Sequence, residues 1–395
     1  MRFTVRRLLL AGIAGSGALP AAVTAQAPAP STAKDSVASK SAAAAAVPID
    51  FSGILFANFQ YRGDKGPQKA SNRFDVERVY LTFRMPAGDR TSIRVTTDLF
   101  QQTSTGNDNY YRGWVLRAKY AYLQYNYLNR ANWKGVARVG LLHTVFIDHD
   151  EQFWPRWIST TPTERAGYFS SADAGLASSI TLPRKFGEVY ATITNGPGYT
   201  SRETDRFKDY AARLTLTPWS SDAANILRPV TLSGWYYRGA VASKFVTAGP
   251  GEIGPIGSGL DRNRWGLHAA ENDPRLTLGV EYARREEQGE TGLNTVQVPR
   301  TVTDSTGNLV AGYMVVRPLA FTGGPSDSPL SLIARYDRVT TNTRTGWKYN
   351  VVIAGLVWDL SKRASVSADY QETTPVTGAS IAPAKTYFAH FVARF

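Results

Sequence analysis

The 395-residue chain contains no cysteine, which excludes disulfide frameworks, thiolate metal sites, iron–sulfur centres and cysteine nucleophiles. It also has no internal run of 18 apolar residues, so we expect no membrane-spanning helix. Charged residues make up only 19%, and 45 Lys and Arg against 32 Asp and Glu give a net charge of +13. Average hydropathy does not separate a soluble protein from a membrane β-barrel, because a barrel alternates polar and apolar residues.

The first 25 residues have the pattern of an export signal. Three arginines precede a short apolar run, Leu8 to Ala14, and small residues at Val23 to Ala25 suit cleavage. Residues 26–48 are mostly Ala, Pro and Ser, a composition that cannot bury enough apolar area to offset the entropy of ordering. We therefore predict a signal peptide over 1–25, a disordered periplasmic lead over 26–48 and one folded domain over 49–395.

Apolar and polar residues alternate with a period of two along the rest of the chain, which is typical of β-strands. Sixteen such segments are recognisable, and connections after odd-numbered strands are mostly longer than those after even-numbered ones. Long loops on one side and short turns on the other are typical of outer-membrane barrels. We predict an all-β fold, a transmembrane antiparallel β-barrel of 16 strands. The predicted strands are 51–61, 73–85, 91–103, 113–127, 134–145, 171–182, 186–196, 207–217, 229–241, 261–272, 274–287, 309–318, 329–340, 346–360, 363–374 and 385–395.

One face of nearly every predicted strand is apolar, as in Val79, Leu81 and Phe83, while the other face carries charge. A circumference of 16 strands is wide enough for a water channel, so we expect the apolar faces to meet lipid. A β-sandwich or propeller, the alternative, would have polar outward faces. Aromatic residues near strand ends are expected to form interfacial girdles: Trp114, Trp133, Trp235, Tyr236, Trp347 and Tyr349.

By strand parity, the predicted lumen face carries more basic than acidic residues. Positive charge along a channel with low-dielectric walls concentrates anions. For any single residue the alternative is that Arg and Asp pair across strands and only hold the wall in shape. The basic residues predicted to line the pore are Arg78, Arg84, Arg94, Arg117, Lys119, Arg138, Arg213, Arg264, Arg275 and Arg335, with Arg285, Lys348, Arg363 and Arg394 on the same face. The acidic residues on that face are Asp98, Glu188, Asp209, Glu281, Asp337 and Asp369.

The longest internal connection, 146–170, is the third predicted external loop. Folded inward it would narrow the channel and set acidic groups against a basic wall, whereas left outside it would be a solvated lid. Carboxylates and imidazole within 148–151 suit a divalent cation, but adjacent residues on an extended chain point in opposite directions. We therefore predict no metal site and no cofactor. The candidate constriction residues are Asp148, Asp150, Glu151, Arg156 and Arg165.

The final predicted strand places Tyr387, Phe391 and Phe395 on one apolar face and ends in phenylalanine. It resembles the closing strand of Gram-negative outer-membrane barrels. The barrel-assembly machinery reads that end of the chain, so the resemblance implies the machinery as a partner and the outer membrane as the location.

Several short motifs lie between residue 50 and the end: Arg73–Phe83 followed by Arg94–Leu99, Ala121–Tyr125 followed by Arg138–Leu142, Thr194–Gly196, and Gly355–Arg363 leading to Asp369 and Tyr370. These motifs resemble the phosphate-selective porin O/P family of Gram-negative outer membranes. The resemblance implies a 16-stranded, trimeric anion channel with a long third loop folded into the lumen. The chain departs from the family in one respect, since it has no lysine cluster of the kind that phosphate-preferring members carry.

These patterns predict an outer-membrane channel for passive diffusion of small hydrophilic solutes, with a preference for anions, phosphate among them. Assembly as a homotrimer is implied by the resemblance alone. The alternatives are a non-selective or carbohydrate-type porin and an outer-membrane barrel enzyme. No enzymatic activity is predicted, because no Gly-x-Ser-x-Gly elbow precedes a helix. The Gly-rich stretch 249–257 lacks the Lys-Ser/Thr end of a phosphate-binding loop. The basic charge does not imply nucleic acid, since the sequence has no basic helix or stacking platform.

Overall fold

The structure is a computed structural model that describes residues 48–65, 68–102, 113–130, 132–203, 205–222, 224–243, 259–291, 301–378 and 381–395. The predicted signal peptide and all of the predicted lead except Pro48 lie outside these residues. Within the described ranges, no helix is long and apolar enough to cross a membrane.

Sixteen strands of the described chain form one closed antiparallel barrel. Each strand pairs with its neighbours in the sequence, and β1 closes the barrel by pairing with β16. The predicted all-β barrel of 16 antiparallel strands is confirmed. The strands are β1 (Asp50–Arg62), β2 (Asn72–Gly88), β3 (Thr91–Gln102), β4 (Gly113–Arg130), β5 (Trp133–His143), β6 (Ala172–Thr181), β7 (Gly187–Thr194), β8 (Asp209–Leu216), β9 (Val230–Ala242), β10 (Gly259–Asp273), β11 (Leu276–Thr291), β12 (Thr301–Val316), β13 (Leu330–Asn342), β14 (Trp347–Ser361), β15 (Ala364–Thr377) and β16 (Ala384–Arg394).

The helices of the described chain are short. Two four-residue helices, α1 (Ile147–Asp150) and α2 (Pro162–Arg165), lie in the connection between β5 and β6. Two 3₁₀ helices, Pro183–Lys185 and Pro318–Phe321, lie in the connections that follow β6 and β12.

The hairpin of β11 and β12 is longer than predicted. Backbone pairing continues to Thr291 opposite Thr301, so β12 begins eight residues before the predicted position, 309. Residues 301–308 are mostly polar, and 301–304 are exposed on both faces, so this part of β12 shows no hydrophobic alternation. Backbone hydrogen bonds extend this hairpin without the burial that the prediction depended on.

Apolar side chains cover the outside of the barrel, while polar side chains point inward. On β11, Val280 is 61% exposed and the next residue, Glu281, is 4% exposed. On β10, Leu267 is 58% exposed and His268 is 3% exposed. A soluble protein has the opposite arrangement, because leaving apolar area in water is unfavourable.

Two of the predicted girdle aromatics, Trp235 and Tyr349, instead point inward and are buried. Trp235 precedes the outward-facing Tyr236, and adjacent residues of one strand face opposite sides. Tyr349 has the same strand parity as Val351 and Ile353, which are fully buried on the inward face of β14. Both predictions were wrong for reasons of local strand geometry.

The main buried cluster lies between the strands and residues 144–171, which we call the inner segment. The Phe146 and Phe169 rings contact Trp235, with centroid separations of 5.8 and 4.8 Å. The Trp154 ring lies 5.7 Å from that of Tyr313. Aromatic packing therefore fixes the inner segment to strands that are far from it in sequence.

Candidate functional site

The inner segment is held by side chains from five strands. Four arginines donate hydrogen bonds to its backbone carbonyls, and Gln371 of β15 donates to the carbonyl of Ile158 at 2.9 Å. A single segment contacts strands from β8 to β15 of a closed barrel only from within. We infer from these contacts that the inner segment crosses the barrel interior. The four arginine–carbonyl pairs are Arg213 with Val145, Arg264 with Tyr168, Arg285 with Ala166, and Arg335 with Thr160.

Three of these clamping arginines also pair with a carboxylate. Arg213 contacts Glu188, Arg264 contacts Glu287 and Arg335 contacts Asp337, at 2.5, 2.5 and 2.6 Å. All three arginines are buried, and the charge of each is balanced by its carboxylate partner. They were predicted as pore-lining residues, but the structure uses them to hold the inner segment. Strand parity predicts that they point inward, whereas the segment that covers them comes from elsewhere in the sequence.

The four residues from Asp148 to Glu151 contact four different partners. Asp148 lies 3.4 Å from His143, and His149 is hydrogen-bonded to Ser233 at 2.9 Å. Asp150 accepts from the Tyr313 hydroxyl at 2.9 Å, and Glu151 accepts from Arg156 at 2.6 Å. Over the ranges that the structure describes, no three His, Asp or Glu side chains lie close enough to hold a metal ion.

Asp150 and Arg165 serve as anchors of the inner segment. Burial raises the pKa of the Asp150 carboxyl, although its hydrogen bond with Tyr313 opposes the shift. Arg165 donates to Ser159 within the segment and to Thr373 of β15, both at 3.1 Å. These two candidate constriction residues therefore contact the wall or the segment itself.

On its other side, the inner segment borders a cavity of about 510 Å³. We call it the β1–β4 cavity, because most of its wall comes from those four strands, together with Arg394 of β16. Asp148, Glu151, Arg156 and Trp157 line it from the segment. The cavity is thus the space left between the inner segment and the part of the wall to which the clamping arginines do not belong.

Three basic side chains of this cavity have no carboxylate partner within the described part of the chain: Arg94, Lys119 and Arg394. Arg94 donates to Thr96 and lies within hydrogen-bond distance of His143, at 3.1 Å in each case. Lys119 is 3% exposed, and its ammonium lies over the Tyr80 and Tyr120 rings. Arg156, by contrast, pairs with two carboxylates, those of Glu151 and Glu164.

The other predicted basic residues of this wall have partial partners. Arg78 and Arg117 share the buried Asp98 carboxylate, each at 2.9 Å. Arg84 lies directly across from Arg94 in the strand register and 3.5 Å from Asp50.

Arg138 donates to Gln124 at 2.9 Å, so it has a neutral partner and keeps an unbalanced charge. Two arginines instead share one carboxylate at Asp98. These residues together leave the wall of β2–β5 with excess positive charge.

Two residues predicted on the charged wall lie in turns. Arg275 connects β10 to β11, is exposed, and pairs with Asp273 at 2.9 Å. Arg363 connects β14 to β15. The predicted strands began one or two residues too early at both positions, because strand ends carry little pattern.

Sequence reasoning missed the aromatic side chains that line the β1–β4 cavity. Tyr80 and Tyr120 point inward beside Lys119, and Trp157 faces them from the inner segment. A usable signal was present for Tyr80, which lies two residues from Arg78 and therefore on the same strand face. For Trp157 the sequence contains no such signal, because the path of the inner segment decides its position.

No protein-family model and no curated protein matches the chain. Among solved structures, the anion-selective porin from Comamonas acidovorans is 12% identical, with a TM-score of 0.57 over 88% of this chain and 99% of that one. OprB of Pseudomonas putida is 9% identical, with a TM-score of 0.58 over 88% and 94%. The trimer form of OmpT, an outer membrane protein of Vibrio cholerae, is 12% identical, with a TM-score of 0.56 over 88% and 99%.

At these identities the likenesses show the fold alone. They support the porin-type barrel that the sequence predicted. The closer assignment to the phosphate-selective O/P family stays a prediction, and so does the absence of enzymatic activity.

Proposed function

We propose that the protein is an outer-membrane channel for passive diffusion of small hydrophilic solutes, with a preference for anions. The observation that carries the proposal is the distribution of side chains on the closed barrel, apolar outside and charged inside, as in Val280 beside Glu281. An apolar outer wall is stable in lipid, and a polar interior is stable in contact with water. Passage is then through the β1–β4 cavity, because the inner segment is packed against the opposite wall.

The charge balance of that cavity supports the preference for anions. Arg94, Lys119 and Arg394 have no carboxylate partner among the described residues. Against these three cations, Asp148 has no arginine partner, and Glu151 and Glu164 share Arg156, so positive charge remains in excess. At physiological salt a charge acts over about 8 Å, so groups lining a cavity of this size dominate the field that an entering ion meets. Phosphate is one anion that such a field attracts. A channel without ion preference is the alternative.

The outward apolar wall and the predicted signal peptide together support a location in the outer membrane of a Gram-negative bacterium. Assembly as a homotrimer and recognition of the last strand by the barrel-assembly machinery remain part of the proposal. The solved OmpT trimer has a similar fold, which is compatible with trimer formation by this chain.

Purified protein added to a planar lipid bilayer should produce stepwise increases in conductance. In a KCl gradient the zero-current potential should lie closer to the equilibrium potential of chloride than to that of potassium, because the charge of the β1–β4 cavity is positive. Protein denatured by heat before addition is the control for detergent artefacts. Absence of conductance steps would contradict the proposed channel function. A zero-current potential closer to the equilibrium potential of potassium would contradict only the preference for anions.

A further inference from the structure

We propose that the β1–β4 cavity is a binding site for small aromatic carboxylates. This inference rests on the channel function proposed above and names a class of solute for it. The carboxylate is bound beside Lys119, and the planar apolar part of the solute lies against the aromatic side chains of the cavity.

The first observation is a buried ammonium group without an acceptor. The Lys119 side chain is 3% exposed and lines the cavity. Its nitrogen lies 4.3 Å from the centre of the Tyr80 ring and 5.3 Å from that of Tyr120. Within the described residues it forms no ion pair or hydrogen bond, although an ammonium has three donors. A buried charge without a partner is costly, and an anion entering the cavity supplies the missing acceptor.

The second observation is a neighbouring hydroxyl group that also lacks a hydrogen-bond partner within the described residues. The Tyr80 hydroxyl oxygen is buried and has no hydrogen-bond partner among the residues that the structure describes. Tyr80 also contacts Lys119 through its ring, so both unsatisfied groups belong to one corner of the cavity. A carboxylate has two acceptor oxygens and can accept from the ammonium and the phenol together.

The rest of the cavity favours a planar apolar body over a small inorganic anion. Phe56, Tyr120 and Trp157 contribute aromatic rings, and Pro155 adds an apolar surface. The Phe56 and Tyr80 rings already meet edge to face at 5.6 Å, a geometry that a further ring can extend. Inorganic phosphate would use the cations but would make no stacking contact with these rings.

The charged groups that face the site favour an anion overall. Arg94 also lies over the Tyr120 ring, with its guanidinium carbon 4.7 Å from the ring centroid. Of the acids on the inner segment, Glu151 is engaged by Arg156, and Asp148 is half-exposed beside His143. An entering carboxylate therefore meets two cations without carboxylate partners at this corner.

Block of the chloride current by benzoate in planar bilayers tests the proposal. Benzoate should lower the conductance of the unmodified channel in a saturable manner, while acetate and inorganic phosphate should need concentrations about tenfold higher. Lys119→Met keeps the length of the side chain and removes the charge, so the concentration of benzoate for half block should rise about tenfold. Tyr80→Phe removes only the hydroxyl and should raise it severalfold.

Lys362→Met is the matched control, because Lys362 is an exposed cation in the turn between β14 and β15 and does not line the β1–β4 cavity. This variant should be blocked by benzoate as the unmodified channel is. Equal block by phosphate and benzoate, or unchanged block in both Lys119→Met and Tyr80→Phe, would overturn the proposed site while leaving the channel in place. A protein without any conductance would instead contradict the proposed function.

Discussion

Replacement of Arg94, Lys119 and Arg394 together by Gln is expected to remove most of the preference for anions. These are the cations of the β1–β4 cavity that no carboxylate balances within the described chain. Their loss leaves Arg156 as one cation against the carboxylates of Asp148, Glu151 and Glu164, so the field of the cavity becomes negative. The zero-current potential in a KCl gradient should move away from the equilibrium potential of chloride and toward that of potassium.

The matched control changes three arginines that lie in exposed turns: Arg228, Arg275 and Arg363. Their replacement by Gln removes the same net charge from the protein and should move the potential little, because their fields are screened within about 8 Å. The effect of the cavity variant should shrink at 1 M salt, where the screening length is about 3 Å. A cavity variant that keeps the full chloride preference would mean that ions pass elsewhere.

Arg335→Leu is expected to release part of the inner segment and to enlarge the conducting path. Arg335 is fully buried, holds the carbonyl of Thr160, and lies over the Trp154 ring at 5.2 Å. Its removal also leaves the Asp337 carboxylate buried without its partner. Breaking a buried ion pair from one side costs about 3–5 kcal/mol. Both a larger single-channel conductance and a lower thermal stability in detergent should follow.

The double variant Arg335→Leu with Asp337→Leu separates these two effects. It removes the carboxylate as well, so much of the lost stability should return, since apolar replacement of a buried pair is often neutral. The bond to Thr160 stays absent, and the conductance should therefore remain raised. If the single variant has the stability and conductance of the unmodified protein, the clamp does not hold the inner segment.

Much of the barrel is predictable because its strands follow a two-residue period that the lipid–water boundary imposes. All sixteen strands were found within a few residues, apart from the early start of β12. Residues 301–308, the first part of β12, are mostly polar on both faces, so no hydrophobic pattern distinguishes them from a loop. The facing of Trp235 and Tyr349 follows the alternation of their own strands, which a position near a strand end does not reveal.

The candidate site is less predictable, because its chemistry depends on which wall the inner segment covers. Strand parity correctly placed Arg213, Arg264 and Arg335 on the inward face, yet it cannot distinguish a clamp from a residue that meets solute. Arg94 and Lys119 share that parity and border the cavity instead. Only the path of residues 144–171, set by contacts such as Phe146 with Trp235, separates the two groups.

Single cysteines test most directly the claim that solutes pass between the inner segment and the β1–β4 wall, because the chain has no cysteine of its own. Thr82 lines the cavity, Leu81 is its outward neighbour, and Ala283 is buried where Tyr168 of the inner segment contacts β11. Treating each variant with an anionic methanethiosulfonate reagent during bilayer recording should lower the conductance of Thr82→Cys alone. Loss of conductance in Ala283→Cys, with Thr82→Cys unaffected, would contradict the account.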